Sequence, residues 1–270
     1  MAVPFRIITW NINSVRLRIG LVEKLLATLK PDLLCLQEIK CRTEEFPSSA
    51  IKHAGYEHQA VHGQKGYHGV AMIARHPLSA VNRRAFCGEA DARHISADIG
   101  IGGSQLTVHN YYVPAGGDEP DPAKNPKFAH KLAFVEEMRG LYAADHAARK
   151  QTILVGDLNI APLETDVWSH KQLLKVVSHT PVETEGLNRV LNEGGWIDAV
   201  RTHIPPEERL YTWWSYRSPN WQESDKGRRL DHVWITPDLN GSLKQADVHK
   251  SARGWEKPSD HAPVIVDFEL

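Results

Sequence analysis

In "VGDLNIAP", Val155 to Pro162, an apolar run ends at a glycine and then sets Asp157 and Asn159 one residue apart. Along an extended strand, residues i and i+2 face the same way. A carboxylate and a carboxamide would then stand together where the chain leaves a buried strand. Gly, Asp and Asn also favour sharp reversals, so the segment reads as a turn too. Polar residues recur at comparable places. Asn11 and Asn13 follow "IITW", Glu38 follows "LLCLQ", Asn110 and Tyr112 come late in "LTVHNYY", and Asp260 with His261 precede the last apolar run. Asn11, Glu38, Asp157, Asn159 and Asp260 offer oxygen donors, which suit a hard divalent ion such as Mg²⁺ or Mn²⁺ and not zinc. "SDHAPV" and "RRLDHVWI" add His261 and Asp231. An imidazole oriented by a carboxylate has a fixed tautomer and a raised pKa, useful where charge develops on a reacting phosphorus. Taken singly, Glu38 reads as a solvated strand end and the Asp–His pair as a hydrogen-bonded core pair.

"YTWWSYRSPNW", Tyr211 to Trp221, interleaves aromatics with Arg217 and precedes the basic "KGRR". It reads either as a strand and turn feeding the core or as a stacking surface for sugar or base flanked by phosphate-binding cations. Other patterns fail their tests. "HQAVH" has histidines at i and i+4 but lies in strand-like sequence, where they would be ~13 Å apart. "GIGGS" leads into a strand and not a helix, unlike a nucleotide-binding loop. No Walker loop or nucleophile elbow is present.

The elements that position these residues are mainly strands. Short apolar, β-branched runs recur as "FRIITW", "DLLCLQ", "GVAMIA", "HISADI", "QLTVHNYYV", "QTILVG", "LDHVWIT" and "PVIVDFEL". Helical periodicity separates some of them. Val15, Ile19, Val22, Leu25, Leu26 and Leu29 make one stripe that Pro31 stops. "KFAHKLAFVEEMRGLYAADHAARK" and "ETDVWSHKQLLKVV" read as further helices, and "GGDEPDPAKNP" as a loop. Mixed strands and helices without strict alternation predict an α+β sandwich. The 270 residues are ample for a core, and no linker divides residues 1–270, so we read a single domain. No apolar stretch reaches the ~20 residues of a membrane span. The N-terminus reads as a first strand and not as a signal peptide. Three cysteines, odd in number and without paired zinc spacing, fit a reducing cytoplasm. A net charge of −1 lacks the basic excess common in nucleic-acid binders and leaves any such binding to a local patch.

In order, "TWNINSVR", "LQEIK", "GVAMIAR", "NYYVPAG", "GDLNIAP", "YTWWSYR", "GRRLDHVWIT" and "SDHAPV" resemble the exonuclease III family of apurinic/apyrimidinic (AP) endonucleases, from Thr9 to Val264. The resemblance implies the deoxyribonuclease I-like fold of the endonuclease/exonuclease/phosphatase superfamily: a four-layer α/β/β/α sandwich of two mixed sheets. It implies metal-dependent hydrolysis of the phosphodiester 5′ to an abasic site, leaving a free 3′-hydroxyl, together with 3′→5′ exonuclease and 3′-end-cleaning activity in base excision repair. On this basis Asn11, Glu38 and Asp260 fall on metal positions, within a wider set that adds Asp157, Asn159 and His261. Asp157 falls on the residue that activates the attacking water, Asn159 on a transition-state donor, and Tyr112 on the active-site tyrosine. His261, held by Asp231, contacts the scissile phosphate. Trp213 falls where an aromatic meets the abasic sugar, and Arg16, Trp214, Arg217, Arg228, Ser178 and His179 fall in DNA-binding segments. The implied cofactor is Mg²⁺ with Mn²⁺ as substitute. The implied partner is double-stranded DNA with abasic sites or 3′ ends, bound by a monomeric cytoplasmic protein without a membrane.

The sequence departs from the family pattern at Asn13, where some relatives have aspartate, and at Arg228, where relatives have tryptophan or an aliphatic residue. "VPAGGDEPDP" also lacks a basic side chain for the minor groove. Two rivals are a superfamily phosphatase acting on inositol phosphates or lipids and a DNA-binding protein without catalysis. The first would lack "NYYVPAG" and the aromatic loop, and the intact acidic and histidine residues oppose the second.

Overall fold

The apolar runs form strands that are covered on both faces, which is why they carry few alternating polar residues. The computed structural model describes residues 2–218 and 220–270. In β1 (Pro4–Asn11), Phe5 and Ile7 enter one buried cluster, and Ile8 and Trp10 enter another. β2 (Leu33–Gln37) repeats this, with Leu33 and Cys35 on the first side and Leu34 and Leu36 on the second. Between them runs α1 (Ile19–Leu29), whose Val22, Leu25 and Leu26 cover the second side. It ends at Lys30 in the left-handed region, just before Pro31. α2 (Ser48–His53), β3 (His58–His62) and β4 (Val70–Ala74) follow.

The chain then crosses to a second sheet through β5 (Leu78–Asn82), β6 (His94–Ile101) and β7 (Ser104–Tyr112). α3 (Pro126–Asp145) starts with Pro126 in its first turn, and Asn125 caps it by accepting from the Lys127 amide. β8 (Thr152–Asp157), α4 (His170–Leu173), α5 (Pro181–Glu193), β9 (Ile197–Asp198) and α6 (Ala199–His203) come next. A small ribbon, β10 (Trp213–Trp214) and β11 (Gly227–Arg228), brackets α7 (Trp221–Ser224). β12 (Asp231–Ile235) completes the second sheet, and β13 (Leu243–Val248) and β14 (Val264–Glu269) return to the first.

The first sheet has the order β13-β14-β1-β2-β4-β3 and the second β5-β6-β7-β8-β12-β9. Each is mixed: β1–β2 and β7–β8 are parallel and the other pairs antiparallel. Ile7, Leu33, Met72, Val108, Val155, Val233 and Val266 belong to the core between the sheets. Phe134, Met138, Leu187 and Val190 of α3 and α5 pack on Leu154 and Trp234 outside the second sheet. The layers are therefore α/β/β/α, as the resemblance implied. Among the described residues, no helix is long and apolar enough to cross a membrane.

Two predicted features change. "ETDVWSHKQLLKVV" is not one helix but a short turn at Glu164–Asp166 followed by α4. The Asp166 side chain is drawn away to Arg229 and Arg201, and Val167 bridges to Arg228, so this backbone is committed elsewhere. α5 is absent from the strand-centred reading, although its start is legible: Thr180 and Glu183 form a capping box around Pro181.

Candidate active site

Strand register brings the acidic groups level. Tyr112 pairs with Asp157 across β7–β8, and Asp157 with Asp231 across β8–β12. These three residues thus form one row at the end of the second sheet. Gly156 permits the close approach there: at φ +142°, an added Cβ would lie 2.0 Å from the Tyr111 carbonyl oxygen. Beyond Asp157 the chain turns through Asn159, which has φ 54°. The Asn159 amide donates to Asp157 Oδ1 at 2.9 Å, and its carboxamide Nδ2 donates to Asp157 Oδ2 at 3.1 Å and to the Val113 carbonyl at 2.9 Å. "GDLN" is therefore a turn, and the turn itself joins carboxamide to carboxylate.

His261 completes this half. Its Nδ1 lies 2.8 Å from Asp231 Oδ2, which also accepts from Thr212 Oγ1 at 2.6 Å, and its Nε2 lies 3.7 Å from Asp157 Oδ2. Asp157 is 1% exposed and His261 4%. Burial raises the Asp157 pKa against the opposing charge of His261, which makes this carboxylate a stronger base than usual. Burial alone would lower the His261 pKa, but Asp231 and Asp157 on either side outweigh it and hold the imidazole protonated. Ser259 accepts from the His261 amide and donates to the Asn11 carbonyl, while Trp10 Nε1 donates to the His261 carbonyl.

The first sheet supplies the facing rim. Asn11 Nδ2 donates to Asp157 Oδ2 at 2.8 Å and to Glu38 Oε1 at 3.0 Å, joining the two sheets. The Tyr112 hydroxyl donates to the same Glu38 oxygen at 2.8 Å. Burial and the Glu38 charge push the Tyr112 pKa well up, so the phenol remains a donor. Lys40 Nζ lies 2.8 Å from Glu38 Oε2 and donates to Asn13 Oδ1 at 2.6 Å. Asn13 in turn donates to Asp260 Oδ1 at 3.0 Å, and Trp213 Nε1 to Asp260 Oδ2 at 2.9 Å. Burial would raise the Glu38 pKa, but Lys40 and Asn11 lower it further, so the group is anionic.

These contacts test the expected metal. Asn13 links Asp260 to the Lys40 ammonium, which stands between the Glu38 carboxylate and the Asn13 carboxamide oxygen. Carboxylate and carboxamide oxygens around a cation fit a hard divalent ion. Among the described residues, Asp157, Asp231 and His261 form another group, with ligand-type atoms within 4.8 Å of one another. There His261 Nδ1 already faces Asp231 Oδ2, and its Nε2 faces Asp157 Oδ2.

Both halves open into a cleft of about 810 Å³ lined by Glu38, Asn159, Ser178, Trp213, Arg217, Arg228, Asp260 and His261, among others. Three predicted DNA contacts do not line it. Trp214 is 1% exposed and donates to Asp225, because its ring packs against Tyr211 and Trp221. His179 is buried between the Ala161 carbonyl and His170. Arg16 lies on the flank, 3.8 Å from Glu45. The sequence reading also passes over Lys131. Its ammonium, buried with Glu183 at 2.5 Å, donates to the carbonyls of Asn159 at 2.8 Å and Ala115 at 3.2 Å. Glu183 accepts from the Ser178 and Thr180 amides, so one buried ion pair holds three loops of the cleft. Glu183 shows itself in the capping box; Lys131 has no sequence signal.

Residues 8–261 match the model of the endonuclease/exonuclease/phosphatase family. The chain is 31% identical to exodeoxyribonuclease III of Haemophilus influenzae over 98% of this chain and 100% of the relative. Among solved structures it is similar to a 3′ phosphatase from Neisseria bound to a product DNA hairpin, with TM-score 0.90 and 31% identity over 98% of this chain and 100% of the other. It is likewise similar to an AP endonuclease from Archaeoglobus fulgidus, with TM-score 0.88 and 31% identity over the same shares.

Proposed function

The chain belongs to the endonuclease/exonuclease/phosphatase family and, within it, to the exodeoxyribonuclease III group, and from that premise we propose that its cleft hydrolyses the phosphodiester 5′ to abasic sites in double-stranded DNA. Hydrolytic nuclease action at 3′ ends belongs to the same reading. The observation that carries it is the row of Tyr112, Asp157 and Asp231, capped by His261 and bonded to Glu38 through Tyr112 and Asn11, at the edge of a cleft lined by Glu38, Asn159 and His261.

Asp157 orients a water for attack on phosphorus and takes its proton, a task for which burial has strengthened the carboxylate. Asn159 holds Asp157 in place, its two Nδ2 hydrogens given to Asp157 Oδ2 and the Val113 carbonyl. His261 is kept cationic and aimed by Asp231, and it stabilises charge gathering on the non-bridging oxygens. Tyr112 gives its hydroxyl hydrogen to Glu38 and so fixes that carboxylate at the rim. A Mg²⁺ ion held by Glu38, Asp260 and Asn11 would supply Lewis acidity to the phosphate and the leaving oxygen. Trp213 offers an aromatic wall for a sugar that carries no base, and Arg217 contributes positive charge at the cleft.

The test is one time course on a duplex with a single abasic site and on a matched blunt, undamaged duplex. We expect a nick 5′ to the abasic site, abolished by EDTA and restored by Mg²⁺ or Mn²⁺. Full activity in chelator, or rescue by zinc alone, would reject the oxygen-ligated ion. Release of phosphate from inositol phosphates without any nicking would favour the phosphatase rival.

A further inference from the structure

Arg228 pairs with Trp213 across the small ribbon, and Trp213 bridges to His261. The three residues form a row over adjacent backbone segments, and residues opposite one another in antiparallel pairs project to the same face. With segments ~4.8 Å apart, Arg228 stands two steps from the histidine that faces the reacting phosphate. Its guanidinium carbon lies 5.3 Å from the centre of the Trp213 ring, and Nη1 donates to Ser178 Oγ at 2.8 Å and to the Val177 carbonyl at 3.0 Å. The group is thereby fixed in the wall of the cleft.

The charge is largely withdrawn from water, yet among the described residues it makes no ion pair. Its neighbour Arg229 is held by Asp166 and Asp198. Glu183, the acid nearest in effect, is committed to Lys131 and to the Ser178 and Thr180 amides. Arg228 Nε is buried and, among the described residues, has no hydrogen-bond partner. A planar guanidinium with unused donors, fixed beside a phosphate site, is a receptor for a further phosphate oxygen. A bare deoxyribose is neutral and offers it no charge. A phosphate monoester at a 3′ end carries a second negative charge and has no sugar beyond it to house.

We propose that Arg228 is a specificity residue that recognises the dianionic terminal phosphate of a 3′-phosphorylated DNA end and shifts this cleft toward removing it. This rests on the nuclease reading above. In the reaction the oxygen of water bonds to phosphorus and the P–O3′ bond breaks. One proton of the water passes to O3′, giving a 3′-hydroxyl, and the other remains on the released inorganic phosphate.

The experiment compares initial rates of the wild-type chain, Arg228→Leu and Arg228→Lys, with Mg²⁺, on two nicked duplexes. One carries a 3′-phosphate at the nick and the other an internal tetrahydrofuran abasic analogue. Loss of a charge-assisted bidentate contact should lower kcat/KM of Arg228→Leu on the 3′-phosphate about tenfold or more beyond its change on the abasic analogue. Arg228→Lys, which keeps the charge without the fork, should fall between. Equal losses on the two substrates, or no loss on the 3′-phosphate, overturn the proposal. A second measurement needs only the wild type: a 3′-phosphorylated duplex should inhibit abasic cleavage at least about tenfold better than its 3′-hydroxyl twin, and equal inhibition overturns the proposal even where a variant fails to fold. A wild-type chain that cleaves neither substrate refutes the nuclease reading instead.

Discussion

His261 shows how a single side chain depends on what surrounds it. Burial opposes its charge, and two carboxylates, Asp231 at 2.8 Å and Asp157 at 3.7 Å, restore it. Asp231 has no route to substrate except through this imidazole, so its contribution vanishes once the imidazole is gone. His261→Ala and Asp231→Ala should each lower kcat by roughly 10²–10⁴-fold. The double variant should be scarcely worse than His261→Ala alone. Single-turnover nicking of an abasic duplex measures this, and losses that multiply in the double variant would dissolve the pair. Left-handed backbone gathers at the same rim, at Asn13, Glu38, Lys40, Asn159 and Ser178. Such conformations persist where the surrounding bonds over-determine them, as the bonds to Asp157, Asp260 and Glu38 do here.

At the scale of elements, the site hangs on short segments pinned by buried ions. The turn Glu164–Asp166 holds the ribbon β10–β11 from outside: Asp166 accepts from Arg229 at 2.8 and 3.0 Å, from Arg201 at 2.5 Å and from the Leu163 amide at 3.0 Å. Burial would raise the Asp166 pKa, but Arg229 and Arg201 lower it further, so its folded value lies below the unfolded one. The stabilisation is therefore present above the ordinary aspartate range, near ~4, and is lost as pH falls through the folded value. Asp166→Asn should cost about 3–5 kcal/mol near neutrality, the usual effect of leaving buried charge unpaired. Urea midpoints of variant and wild type should converge as the pH is lowered below ~4. A gap that stays constant over that range would mean that Asp166 acts by shape and not by charge.

For the molecule as a whole, a formal net charge of −1 argues against a strong general attraction to DNA. The cleft itself carries Arg217, Lys226 and Arg228. Binding to an abasic duplex should still weaken with salt, with a slope of about −0.9 in log K against log[salt] for each phosphate neutralised. Fluorescence anisotropy across a salt series gives that slope, and a flat profile would mean that no basic groove exists.

The sequence alone determined the strand runs, the sandwich class and the polar residues at strand ends, because burial on two faces and chain reversal are local demands written in residue type. Asp157 and Asn159 were legible for that reason: one turn contains both. The meeting of Asp157 with Asn11 across 146 positions, and the row that joins Tyr112, Asp157 and Asp231, were decided by sheet register. Only the tertiary structure turned Trp214 and His179 inward while leaving Trp213 and Ser178 on the cleft, since neighbours in sequence take opposite sides of a ribbon or turn. Lys131 was invisible in the same way. A lysine on a helix reads as solvated until the fold buries it and places Glu183 and two loop carbonyls around it.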